Sequence, residues 1–191
     1  MKLTSKGALP PGDFGIWIII YVELVTFGAL FLGYAFSRRL DIELFNQSQL
    51  LLDQQSGFIN TIVLITSSWF VVQAVDLIKQ GKSKDIAAKW LLSAIAMGFI
   101  FMLIKSIEFS DKFEQGINLS TNTFFMFYLL LTMFHFLHVV LGLVILFTLY
   151  RNTNKSKYTQ ENHEGLLTGA SYWHMVDVLW IVLFPLVYIM R

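Results

Sequence analysis

The chain has 191 residues, of which 55% are hydrophobic, 16% aromatic and only 14% charged. Together with a mean hydropathy of +0.61, this composition excludes an ordinary water-soluble globular protein and indicates an integral membrane protein. A formal net charge of +1 gives no reason to expect nucleic acid as a partner, and the absence of cysteine excludes disulfides and thiolate sites.

Five apolar runs are each long enough to cross a bilayer, which requires about 20 residues. In chain order they cover residues 14–36, 57–78, 88–107, 122–150 and 170–190. Strand spans would be about half as long and would alternate in polarity, so these runs are predicted to be helices. Residues 1–191 are therefore expected to form a single domain, an all-α integral membrane bundle of five transmembrane helices.

The basic residues between the runs predict how the bundle is oriented. One side carries nine of them: Lys2, Lys6, Lys79, Lys82, Lys84, Lys89, Arg151, Lys155 and Lys157. The other side carries five, which are Arg38, Arg39, Lys105, Lys112 and Arg191. Because cytoplasmic connectors carry the excess of Lys and Arg, we expect a cytoplasmic N-terminus and an outward C-terminus.

The first run contains one carboxyl group, that of Glu23, near its middle. In hydrocarbon such a group must be protonated or paired. Two interpretations follow: an interhelical hydrogen bond, which is the commoner use of an intramembrane polar residue, or a carboxyl group that relays protons or lies at an interface.

The second and third runs carry polar residues of two kinds. Those of the second run are small or hydrogen-bonding and are predicted to serve helix packing: Asn60, Thr61, Thr66, Ser67, Ser68 and Gln73. At the end of the third run, Lys105, Glu108 and Asp111 follow at i, i+3 and i+6. This spacing predicts a solvated face near the outer interface, with Glu108 as the member buried against a partner.

The fourth and fifth runs hold three of the four histidines. In the fourth run, Thr132, His135, His138 and Gly142 form one polar or small stripe at helical spacing. This stripe is expected to face protein and not lipid. The fifth run adds a histidine and an acid three residues apart, His174 and Asp177.

These histidines and acids raise the alternative of a metal site. Carboxylate-bridged di-iron bundles use the same i, i+3 spacing, and a haem could be held between two histidines. The set would be Glu23, His135, His138, His174 and Asp177. Only two of these are acids, so hydrogen bonding that ties helices together is the favoured interpretation. No nucleophile with a supporting base, phosphate loop or zinc-protease motif is found, so no catalytic residue is predicted.

Four motifs in order resemble subunit III of the haem-copper oxidase family. Residues 172–184, beginning Tyr-Trp-His-Met-Val-Asp, resemble the signature of its final helix, and residues 135–142 resemble its H-x-x-H-V-x-x-G motif. Glu23 matches the intramembrane acid that follows a G-x-W opening, and Glu108 matches an interfacial glutamate. The similarity covers the chain from Gly12 to Arg191.

Within that family the chain is most similar to the short, five-helix members. Residues 60–70 and 178–186 resemble the NorE type, which is encoded alongside nitric oxide reductases. Short members of quinol oxidases are the next most similar. Long members have two further N-terminal helices, which form one arm of a cleft that holds phospholipids.

The resemblance implies a cofactor-free, non-catalytic subunit in the bacterial inner (cytoplasmic) membrane. Its partner would be a catalytic subunit I, of an oxidase or a nitric oxide reductase, that carries haem with copper or non-haem iron. A cytochrome c or a subunit II are further candidate partners, and phospholipids would bind. The implied role is to stabilise subunit I, to support its proton uptake and to sustain turnover.

The resemblance also implies roles for the polar residues. Glu23 would be the carboxyl group of the helix that faces lipid and subunit I. The remaining group, His135, His138, His174 and Asp177, would bind the last two helices together, and we hypothesise that His174 and Asp177 form an internal clasp. Two alternatives stay open: a metal- or haem-binding membrane enzyme, and a proton or small-solute carrier built around Glu23. The second lacks the internal repeats of many transporters.

Overall fold

The computed structural model describes residues 12–190, which form six α-helices and a terminal π-helical turn. The elements are α1 Phe14–Leu40, α2 Ile42–Gln49, α3 Gln54–Lys79, α4 Lys84–Glu114, α5 Thr123–Asn154 and α6 Glu164–Phe184, followed by the turn Pro185–Ile189. Within the described range, α1, α3, α4, α5 and α6 with its turn are long and apolar enough to cross a membrane. The predicted all-α, five-span architecture is confirmed.

The orientation stays a prediction. Three of the basic residues on which it rests, Lys2, Lys6 and Arg191, lie outside the described residues.

The helices extend beyond the apolar runs that predicted them because polar residues continue the backbone hydrogen bonding at the membrane surface. The α4 helix begins at Lys84 and ends at Glu114, whereas its apolar run covers residues 88–107. It ends in a Schellman motif: Gly116 has φ +78°, and the Ile117 amide donates to the Lys112 carbonyl at 3.0 Å. The short α2 helix was not predicted, since eight residues of mixed polarity leave no apolar run.

Four of the spanning helices close into a bundle, and the first lies outside it. The α3 helix packs on α4, α4 on α5, α5 on α6 and α6 back on α3, while α1 contacts α5 and α6. Only 17% of the central apolar stretch of α1 is buried, compared with 61% for α6 with its turn. The outer face of α1 is therefore available to lipid or to another subunit.

Glycines of α4 and α5 make room for a tryptophan of α6. A Cβ atom at Gly142 would lie 2.7 Å from Cε3 of Trp173, and one at Gly98 would lie 3.0 Å from Cη2 of the same ring. Trp173 is 1% exposed. Three helices thus meet at one indole ring, and the prediction that the stripe containing Gly142 faces protein is confirmed by the burial of its members.

The π-helical turn folds back against α2 and the start of α3. The Gln49 side-chain amide donates to the Val187 carbonyl at 2.8 Å, and that of Gln54 donates to the Tyr188 carbonyl at 2.7 Å. These bonds satisfy carbonyls that a helix end leaves unpaired. They also fix Tyr188 in the interior, at the end of the bundle where α3 begins and α4 ends. We call this the C-terminal end of the bundle.

Candidate functional site

The six predicted site residues do not converge on one centre. Five of them belong to three separate groups. One group lies between α1 and α5, one lies among α4, α5 and the C-terminal turn, and one lies between α3 and α6. The sixth residue, a histidine, belongs to none of these groups. Across residues 12–190, no three His, Asp or Glu side chains come together in a way that could hold a metal ion. The described residues therefore offer the metal-enzyme alternative no ligand set.

The first group pairs Glu23 of α1 with His138 of α5. His138 Nε2 lies 3.0 Å from Glu23 Oε2, and His138 Nδ1 lies 2.8 Å from the Phe134 carbonyl oxygen. Because a carbonyl oxygen only accepts, Nδ1 must carry a hydrogen. The contact at Nε2 is then either a carboxylic acid donating to neutral imidazole or an imidazolium donating to a carboxylate. In both cases the two side chains share one proton.

This pair attaches α1 to the bundle. The His138 side chain is 10% exposed and that of Glu23 is 24% exposed. The rings of Phe27 and Phe134 contact the imidazole edge to face, with centroids 5.4 and 4.6 Å away. The family resemblance placed His138 between the last two helices, but its side chain reaches the first helix instead.

Replacing Glu23 with leucine is expected to lower the free energy of unfolding by about 1 to 3 kcal/mol, because the buried His138 Nε2 loses its partner. Glu23→Gln keeps a hydrogen-bonding side chain and should cost less than half as much. Unfolding in mixed micelles with increasing dodecyl sulfate measures both. Val25→Ala, at a position 72% exposed on the same helix, is the control. Equal stability of Glu23→Leu and the control would contradict the pairing.

The second group is centred on Lys105, whose position differs from the one that its sequence spacing predicts. Lys105 was predicted on a solvated face, but it is 0% exposed. It lies nine residues, or roughly 14 Å, inside the end of α4. Tyr128 of α5 and Tyr188 of the C-terminal turn contact it there. Its Nζ is 3.1 Å from Glu108 Oε1 and donates to the Tyr188 hydroxyl at 2.5 Å. Of the predicted face, only Asp111 is exposed.

Two tyrosines complete this second group, which we call the Lys105 cluster: Lys105, Glu108, Tyr128 and Tyr188. The hydroxyls of Tyr128 and Tyr188 donate to Glu108 Oε1 at 2.6 and 2.5 Å. Four rings surround the ammonium group at 5.0 to 5.4 Å, those of Tyr128, Tyr188, Phe109 and Trp180. Cation–π attraction adds to the ion pair. Glu108 is 5% exposed, so its predicted burial is confirmed, and the groups that bury it belong to this chain.

The third group links α6 to α3. The Ser68 hydroxyl is hydrogen-bonded to His174 Nδ1. Asp177 Oδ2 lies 3.7 Å from the same nitrogen, which is an ion-pair separation and too long for a hydrogen bond. Because His174 and Asp177 are one turn apart on α6, their contact does not by itself join two helices. The interhelical link comes from Ser68, which the sequence analysis assigned only to packing.

His135 stands apart from the other predicted residues. It is 0% exposed, and neither ring nitrogen has a hydrogen-bond partner among the described residues. Its ring packs on those of Trp180 and Phe101, with centroids 5.1 and 5.7 Å away. The side chain fills the space between α4 and α6 as an aromatic group.

Comparison with known proteins adds family information that the geometry alone does not give. The family model described as "Cytochrome c oxidase subunit III" matches residues 12–191. The chain is 32% identical over 186 residues to cytochrome c oxidase subunit 3 of Thermostichus vulcanus, covering 92% of this chain and 86% of that protein.

Two other relatives extend the comparison. Cytochrome bo(3) ubiquinol oxidase subunit 3 of Buchnera aphidicola is 28% identical over 182 residues, covering 92% of this chain and 85% of that protein. The heme-copper oxidase subunit I+III of Aeropyrum pernix is 28% identical over 180 residues, which are 91% of this chain and 22% of that protein.

Proposed function

Because the chain belongs to the cytochrome c oxidase subunit III family, we propose that it serves as the non-catalytic subunit III of a haem-copper terminal oxidase and stabilises the catalytic subunit I. The observation that carries this proposal is the family match over residues 12–191, combined with five helices long enough to span a membrane. Several polar side chains of the described residues link neighbouring helices, as Glu23 does with His138 and Ser68 with His174, and this suits an accessory subunit.

The partner is proposed to be subunit I, which holds the haem and copper. The name of the Aeropyrum pernix relative joins subunits I and III in one chain. A fused arrangement keeps the two subunits together at equal stoichiometry, which supports direct contact between them here. The exposed outer face of α1 is a surface on which such contact can form, and phospholipid would fill the part that subunit I leaves free.

The substrate class is a finer proposal. Two of the relatives described above are subunits of a cytochrome c oxidase and of a ubiquinol oxidase, and they support an oxygen-reducing partner. The resemblance of residues 60–70 and 178–186 to the NorE type favours a second candidate, association with a nitric oxide reductase. Both candidates place the chain in a bacterial cytoplasmic membrane, where it would support proton uptake and sustained turnover of subunit I.

Purification in mild detergent tests the proposal. We expect the tagged chain to carry a large haem-containing subunit with it, and metal analysis to find copper in that subunit. A subunit with non-haem iron and no copper would favour the nitric oxide reductase candidate. Removing the chain should leave the initial rate of the complex nearly unchanged and shorten the time over which activity persists. A tagged chain that purifies alone would contradict the role.

The proposed orientation has its own test, because the chain contains no cysteine. Ser83 lies in the turn between α3 and α4, Ser120 lies between α4 and α5, and both are exposed. In intact cells, a membrane-impermeant thiol reagent should label Ser120→Cys and leave Ser83→Cys unlabelled. Labelling should become equal after the cells are broken. The reverse pattern would place the N-terminus outside.

A further inference from the structure

A cavity bordered by charged side chains opens at the C-terminal end of the bundle, beside the Lys105 cluster. Its volume is about 260 Å³, and two isoleucines and six polar side chains line it: Asp53, Ser56, Glu108, Asp111, Lys112 and Gln115. A water molecule occupies about 30 Å³ in the liquid, so there is room for several. A cavity of this size, bordered by charged groups, is expected to be hydrated.

Glu108 connects this cavity to the cluster. Its Oε1 atom forms the ion pair with Lys105 and accepts hydrogen bonds from the hydroxyls of Tyr128 and Tyr188. Its buried Oε2 atom has no hydrogen-bond partner among the described residues. A buried carboxylate oxygen without a donor is costly, and a bound water is one arrangement that would satisfy it. Glu108 also borders the cavity, and Oε2 is its carboxyl oxygen without a donor from the described part of the chain, so Oε2 is the atom left to accept a hydrogen bond from cavity water.

We propose that water fills this cavity and makes the Lys105 cluster a proton-exchange site, which takes up and releases protons at the C-terminal end of the bundle. A proton passes from hydronium in the cavity to Glu108 Oε2 and leaves water behind, and release is the reverse. The Tyr188 hydroxyl accepts from Lys105 and donates to Glu108, so it links the two titratable groups. The site goes beyond the proposed accessory role and is independent of which oxidase the chain serves.

The other charged groups around Glu108 fit this assignment. Asp53 lies immediately before α3. Hydrogen bonds from the Ser56 hydroxyl and from the backbone amides of Ser56 and Gln55 hold the pKa of Asp53 below its usual range, so this acid stays ionised. On α4, Asp111 is exposed, and Lys112 donates to the Leu51 carbonyl at 2.7 Å. Among these charged residues of the cavity wall, none donates a hydrogen bond to Glu108 Oε2.

Two further elements pack against the cluster and contribute titratable groups. Tyr128 of α5 and Tyr188 of the C-terminal turn both contact Glu108. His135 of α5 packs on the Trp180 ring that Lys105 also contacts. Exchange through α5 or the turn would require water among these rings, so the cavity is the route that the structure provides.

Hydrogen–deuterium exchange on the full chain in nanodiscs tests the route. Infrared bands that Glu108→Gln removes identify the carboxyl group, and we expect them to respond to a D₂O or pH jump within seconds. Ser56→Leu, which fills the cavity, should slow this response at least tenfold. Ser106→Leu is the matched control, because Ser106 is exposed on the outside of α4. A wild-type response as slow as the protected backbone amides, or no slowing by Ser56→Leu, would overturn the proposal.

A second measurement keeps the test open if Ser56→Leu does not fold. Ser56→Cys introduces the only thiol of the chain into the cavity wall. A charged methanethiosulfonate reagent should modify it at least tenfold faster than Ser106→Cys, because Ser106 borders an apolar groove that lipid is expected to fill in the nanodisc. The modified protein should then show the slowed response at Glu108. An unreactive Ser56→Cys, or an unchanged response after modification, would show that no hydrated route reaches the cluster.

Discussion

Replacing Lys105 with methionine is expected to lower the free energy of unfolding by about 3 to 5 kcal/mol, the range found when one partner of a buried ion pair is removed. Glu108, at a position 5% exposed, would keep its two tyrosine donors and lose the ammonium group that lies 3.1 Å from its Oε1 atom. Methionine fills nearly the same volume as lysine, so little of the loss comes from packing. Unfolding in mixed micelles, followed by tryptophan fluorescence, measures it.

The double variant separates this cause from a general intolerance of substitution. Adding Glu108→Gln to Lys105→Met removes both charges and keeps an oxygen that can accept from the two tyrosines. We expect the double variant to recover most of the lost stability, since replacing a whole buried pair is often nearly neutral. Lys89→Met, at an exposed position of the same helix, should change stability by less than about 0.5 kcal/mol. Additive losses in the double variant would contradict the coupling.

The five spans were predictable because each depends only on local composition. An apolar run of about 20 residues identifies a membrane helix whatever its neighbours are. The burial of Lys105 has no such local signal. It depends on the C-terminal turn folding back over α4, through bonds from Gln49 and Gln54 to carbonyls more than 130 residues away.

The polar groups show the same limit. Glu23 and His138 were each identified as costly in hydrocarbon, but their pairing requires knowing that α1 lies against α5. The sequence predicts only a packing role for Ser68, because a serine in a helix gives no indication of which side chain it bonds. Its partner is His174 of the last helix. Sequence patterns located the residues that need partners, and the arrangement of helices decided which partners they have.

The indole ring of Trp173 lies buried where α4, α5 and α6 meet. Trp173→Ala is expected to lower the free energy of unfolding by about 3 kcal/mol, the lower end for deleting a large buried aromatic group. In a soluble protein the same deletion also loses the free energy gained by moving the side chain out of water. This loss is smaller in a bilayer, because lipid tails are themselves apolar. No hydrogen bond is lost, since the indole N–H has no partner among the described residues.

Gly142 of α5 faces the Trp173 ring, so substitutions at the two positions should affect each other. Gly142→Leu alone should lower the free energy of unfolding by about 1 to 3 kcal/mol, because its Cβ would lie 2.7 Å from the Trp173 ring. In the Trp173→Ala background the same leucine grows into the vacated space, so the double variant should be more stable than Trp173→Ala. Trp69→Ala, at a position 52% exposed, is the control for losing an indole and should cost less than about 1 kcal/mol. If the leucine destabilises both backgrounds equally, the ring does not occupy the space above Gly142, and another contact must hold α5 against α6.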